Sequence, residues 1–173
     1  MLESLTTLLQ PWADLYGDSH VLSTGIVAAH VLAMFIGGGI AVGADRRVLL
    51  AAPGTAEAHR AVAEDLKAQH AVVVGSLVLI VLTGLLLAAS DLGTFAVSLV
   101  FWGKMAAFVA LMINGLLMRR TEARVVNAAK NTMEFSVVGP DLTLPWGALR
   151  RSAWISLAGW IATVFLGVLL TNN

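Results

Sequence analysis

The chain has 173 residues, 58% of them hydrophobic and 13% charged, with a formal net charge of zero and a mean hydropathy of +0.82. Soluble domains are about 45–50% apolar and about 25% charged, so this much apolar surface points to lipid as the solvent rather than to a single small globule. There is no cysteine, which excludes disulfides, thiolate metal sites and thiol catalysis, and no nucleic-acid partner is expected.

Residues 1–19 carry no Lys or Arg, and their apolar stretch Leu2–Leu9 stops at Gln10-Pro11. They lack the positive start and the long apolar run of a signal peptide. Leu2, Leu5, Leu8 and Leu9, followed by Trp12 and Tyr16, read as an amphipathic helix lying on the outer membrane interface, with a partner subunit as the alternative contact. A span needs about 20 mostly apolar residues to cross about 30 Å of hydrocarbon. Four segments qualify, at about residues 20–43, 70–90, 95–118 and 152–171. The expected fold is therefore all-α, an integral membrane four-helix bundle over 20–171 with short loops. Residues 56–69 read as a helical extension of the second span, 91–94 as a turn, and 131–149 as an irregular loop around Gly139-Pro140 that Trp146 ties to the interface.

Ten of the eleven basic residues fall in the loops after spans one and three, at Arg46, Arg47, Arg60 and Lys67 and at Arg119, Arg120, Arg124, Lys130, Arg150 and Arg151. Those loops are expected on the cytoplasmic side, which puts both termini outside and reads as a multi-pass protein of a bacterial inner membrane. Small residues recur at every third or fourth position in three spans. They are Gly25, Ala29, Ala33, Gly37 and Ala41 in the first, Gly103, Ala107, Ala110 and Asn114 in the third, and Ser152, Ser156, Gly159, Thr163 and Gly167 in the fourth. Such stripes let helix backbones approach closely in lipid. The run Gly37-Gly38-Gly39 reads as close packing or as a place for a flat ligand to press on backbone.

Ionisable groups inside a membrane are costly and therefore informative. Two lie well within these spans, His30 and Lys104, both a few residues outward of their span centres and so at similar depth. No carboxylate is expected inside a span. His30 suits a metal or haem-iron ligand, with Met34 or Met105 as a second axial ligand and Lys104 as the partner of a propionate or substrate carboxylate. Two other readings stay open. His30 also suits a neutral histidine that hydrogen-bonds a neighbouring helix, and Lys104 a side chain that runs out along Phe101 and Trp102 to the interface. His20, His59 and His70 read as solvated or interfacial, with His70 as a second, interfacial haem site. No two histidines match in depth, which argues against a bis-histidine haem.

The order of Ala29-His30-Val31-Leu32, the downstream Arg46-Arg47, and Phe101-Trp102-Gly103-Lys104 resembles the HemJ-like protoporphyrinogen oxidase family and the related membrane domain of copper-resistance D-type proteins. Met34-Phe35-Ile36-Gly37 stands where that family has Trp-Phe-Ala-Gly. The resemblance implies haem b as cofactor, His30 and Lys104 as the functional pair, and an oxidoreductase role with porphyrin, quinone or a redox protein as partner. The alternative is a cofactor-free accessory subunit of a larger membrane complex, and a homo-oligomer is compatible with either.

Overall fold

The structure, a computed structural model, describes residues 2–51, 56–135 and 143–170. Among the described residues all six elements are helices: α1 (Leu2–Asp18), α2 (His20–Leu50), α3 (Ala56–Ser90), α4 (Leu92–Val97), α5 (Leu99–Phe135) and α6 (Thr143–Leu170). Four of them are long and apolar enough to cross a membrane, over His20–Leu50, His59–Ser90, Leu99–Asn127 and Trp146–Leu170. Large apolar side chains on these helices point outward, among them Phe35 at 78% exposure and Ile161 at 63%. A water-soluble bundle could not leave them there, so the chain is a multi-pass membrane protein.

The four long helices form a ring. α2 packs on α3 and α6, and α5 packs on α6 and α3, so that α2 and α5 face one another across the bundle. Close backbone approach makes the α2–α3 seam possible. A Cβ on Gly37 would lie 2.5 Å from the Ser76 Cβ, so only glycine fits there. Gly38 faces the Trp160 ring, where a Cβ would come to 3.0 Å, whereas Gly39 faces open space. The glycine run is thus a helix–helix seam. Two apolar clusters fill the interior. Ala33, Ile80, Leu111 and Trp160 form a middle layer, and Val48, Ala63, Leu66, Val125, Trp146 and Leu149 pack at the Arg-bearing end. Between them Asn114 donates its side-chain amide to the Ser152 carbonyl at 2.9 Å and accepts the Ser152 hydroxyl at 2.8 Å. Asn114→Ala is expected to lower stability in detergent by about 1 kcal/mol, measured by reversible SDS unfolding, because both Ser152 groups lose a buried partner.

Several boundaries differ from those read in the sequence. The turn at 91–94 is the start of α4, with the Asp91 side chain accepting from the Thr94 N–H as an N-cap. The loop expected up to residue 149 ends sooner. α5 runs on to Phe135 and α6 begins at Thr143, with Pro145 in its first turn, where a missing N–H costs nothing. The segment around Gly139-Pro140 lies outside the described residues. Trp146 is buried rather than interfacial and stacks on His59, their ring centroids 4.0 Å apart, so His59 is not solvated either. α1 carries exposed Leu2, Leu5, Leu8 and Leu15 and is tethered to α3 by Trp12, whose indole N–H donates to the Leu86 carbonyl at 3.0 Å.

Candidate functional site

Among the described residues, ionisable side chains are drawn into the bundle at two places, one toward the α1 end and one toward the Arg-bearing end. Fifteen residues of α2 separate His30 in the first from Asp45 in the second, a rise of about 22 Å. The apolar layer of Ala33, Ile80, Leu111 and Trp160 lies between them.

The first grouping contains the residues singled out in the sequence. His30 is buried, and its Nδ1 lies 2.8 Å from the Thr83 hydroxyl on α3. The same hydroxyl lies 2.6 Å from the Leu79 carbonyl, and when it donates there it accepts from a His30 Nδ1–H. Beside the ring, the Gly84 backbone leaves room for Cε1, which a Cβ there would meet at 3.3 Å. Lys104 is half-buried near the outer ends of α5 and α6. Its Nζ lies against α6, 3.4 Å from where a Cβ on Gly167 would sit, and within electrostatic range of His30. The expected pair is thus drawn to the interior of one bundle end. Met34 lies one turn from His30 on the same helix face, packed against the middle layer. Side chains four apart on one helix approach an ion from the same side. Met105 is half-buried on α5.

The second grouping was not anticipated. A cleft of about 410 Å³ opens between α3 and α5 at lipid-facing Val74, Val78, Leu82, Met112 and Leu116, and its wall is mostly apolar. Ala41 and Ala44 of α2 and Trp160 of α6 form its floor. At the Arg-bearing end it meets Asp45, Gln69, His70, Arg119, Glu122 and Ser156. Asp45 is 2% exposed and Glu122 5% exposed, which corrects the expectation that no carboxylate enters a span. The Ser156 hydroxyl is directed at Asp45, whose Oδ2 has no hydrogen-bond partner. Glu122 Oε2 lies 3.8 Å from His70 Nδ1, and its Oε1 is also unpartnered. His70 Nδ1 donates to the Leu66 carbonyl at 3.2 Å, which leaves Nε2 free. Of the expected site residues, His70 alone lines this cleft; His30, Met34, Lys104 and Met105 do not.

The signal for the two carboxylates was present in the sequence. The four-residue stripe Gly25, Ala29, Ala33, Gly37 and Ala41 continues to Asp45, and the steps from Asn114 through Met118 reach Glu122. Each acid extends the packing face of its helix, and so turns inward. A second, smaller cavity of about 290 Å³ sits between α1 and the α3–α4 junction, lined by Thr6, Leu9, Gln10, Ala13 and residues 89–93. Among the described residues no group of three or more His, Cys, Asp or Glu converges as a metal site. In comparisons with known proteins, the chain matches no family model, no curated protein and no solved structure.

Proposed function

We propose that this chain is a membrane redox protein whose cleft holds a flat, amphipathic ligand of the quinone class that enters sideways from the bilayer. One observation carries the reading: an apolar slot, open toward lipid between two spans, ends at a set of polar and ionisable side chains that includes the buried Asp45 and Glu122. Ligand sites combine apolar walls with a few placed polar groups in a volume of about 300–1,000 Å³. Buried acids with free oxygens are costly to keep, and such residues inside a membrane mark function. The walls would take a ring and tail, and Asp45, His70 and Glu122 would meet the head. In this reading the Arg-bearing loops face the cytoplasm, which puts the head group near that surface.

Gly115 supplies the test. It lines the cleft, and a Cβ there meets nothing within 4 Å. Gly115→Phe is therefore expected to fold normally and to fill the cleft. In lipid nanodiscs, a decyl-benzoquinone should quench Trp160 fluorescence saturably in the native chain and not in Gly115→Phe. Equal quenching in both would refute the reading.

Haem b is a second reading, favoured by the resemblance to HemJ-like proteins and by the hydrogen bond between His30 Nδ1 and Thr83. A histidine that ligates a metal usually spends its other ring N–H on a neighbour, as His30 does on Thr83 and His70 on the Leu66 carbonyl. The residues fit unequally. His30 opens on neither cavity described above, and Met34 shares its side. His70 borders the cleft with Nε2 free, and Arg119 lies beside it for a carboxylate. Bound there, haem would supply one-electron transfer. A reduced-minus-oxidised spectrum of the purified chain beside His30→Ala and His70→Ala decides it. Sharp b-type bands lost in one variant assign the ligand, and a flat spectrum from haem-replete cells ends the haem reading.

A further inference from the structure

We infer that Glu122 and His70 form a proton relay between the polar end of the cleft and the surface at the Arg-bearing end; what receives the proton rests on the cleft reading above. Reduction of a quinone to a hydroquinone takes two electrons and two protons, one proton for each ring oxygen. A reduced flavoprotein partner would supply the electrons and be oxidised in turn. The protons must come through the chain, because the hydrocarbon of the bilayer holds no water to give them.

Glu122 has one oxygen for each side of such a relay. Its Oε1 is buried without a hydrogen-bond partner, and the residue lines the cleft. Its Oε2 lies 3.8 Å from His70 Nδ1, a gap that a small side-chain rotation closes to hydrogen-bond distance. The Glu122 side chain is 6% exposed and that of His70 26%, so access rises along the path. About one turn nearer the Arg-bearing end, Asp65 and Arg47 form an exposed ion pair, and the Gln69 amide donates to Asp65 at 3.1 Å. In the other direction the apolar layer of Ala33, Ile80, Leu111 and Trp160 bars the way. The other groups at the polar end suit the role less. Asp45 of α2 is 2% exposed and faces the Ser156 hydroxyl of α6, and Gln69 does not titrate. Arg119 is exposed, makes no ion pair with Glu122 among the described residues, and keeps its proton.

A carboxyl group buried away from a paired cation is held more cheaply as the neutral acid. The Glu122 acid gives its proton to a ring oxygen and is left as a carboxylate. His70 holds its Nδ1–H on the Leu66 carbonyl, which leaves Nε2 to take a proton from water. The imidazolium then passes its Nδ1 proton to Glu122, and the ring regains its first tautomer by exchange with water. Two such cycles complete the hydroquinone.

The experiment follows the Glu122 proton by infrared spectroscopy of the chain in nanodiscs, without quinone. A carboxylic-acid C=O band present in the native chain and lost in Glu122→Gln belongs to Glu122. On transfer to heavy water that band moves to lower frequency as O–H becomes O–D, and the rate of the move is the rate of proton exchange. His70→Gln keeps a donor but cannot carry a proton, so it should leave the Glu122 band in place and slow its exchange at least about tenfold. His70→Phe serves as the second variant if His70→Gln does not fold. Exchange as fast in the His70 variant as in the native chain overturns the relay, and so does the absence of a Glu122 acid band from the native chain. Either result leaves the cleft reading standing. Equal quenching in the quinone test above would remove the ligand the relay serves and leave a slowed exchange as evidence for the relay itself.

Discussion

Replacing Asp45 with valine is expected to stabilise the bundle while destroying its binding site. Asp45 is 2% exposed, and one carboxyl oxygen has no partner. A buried acid of this kind costs several kcal/mol, and apolar side chains of similar volume often replace buried ionic groups with no loss or with a gain of about 1–4 kcal/mol. Valine fits among Ala41, Ala44 and Trp160, and the Ser156 hydroxyl can turn to the carbonyl four residues back on its own helix. Reversible SDS unfolding should show a gain of about 1–3 kcal/mol, and decyl-benzoquinone binding should fall by about tenfold or more. Natural proteins keep such costly groups where function needs them. A loss of stability comparable to that of a large core truncation would instead mark Asp45 as a structural element of the α2–α6 contact.

The second large effect concerns the glycine run. Gly37→Leu should abolish the folded bundle, and Gly37→Ala should cost about 2–3 kcal/mol. The new Cβ would sit 2.5 Å from the Ser76 Cβ and 3.1 Å from its Oγ, so α2 and α3 must part. Replacing Ser76 by glycine in the same chain should restore much of the loss, because it removes both colliding atoms. Gly39→Ala, two residues on, is the control: nothing lies within 4 Å of its Cβ position, and alanine is the better helix former by about 1 kcal/mol. Thermal melts of the four variants in one detergent separate a helix seam from a ligand-pressing surface. If Gly37→Ala and Gly39→Ala behave alike, the seam is not where it is placed here.

Hydropathy alone located the four spans, because a run of about 20 apolar residues has few other solutions. The ends were less legible. Counting apolar residues stops a span at its first charges, and so it closed the first span before Asp45 and the third before Glu122. Both helices continue, and both acids are buried. Periodicity sees what hydropathy misses: the small-residue stripe of α2 runs straight into Asp45. His30 and Lys104 were legible as a pair because membrane depth depends only on residue count. The partner of His30 was not, since Thr83 comes from another helix and its hydroxyl gives no long-range signal in sequence. The burial of Trp146 was hidden for the same reason. It depends on His59 arriving from α3, and a tryptophan next to basic residues reads as an interfacial anchor.

The most direct test of the cleft is to ask where a quinone-class ligand touches the chain. A photoreactive decyl-quinone is incorporated with the native protein in nanodiscs, illuminated, and its adducts mapped by mass spectrometry. Adducts on the cleft faces of α3 (residues 69–82) and α5 (residues 111–122), competed away by unlabelled decyl-benzoquinone, are the predicted result. Labelling spread over the outward faces of all four spans, or confined to α1 and the 89–93 junction, would contradict it.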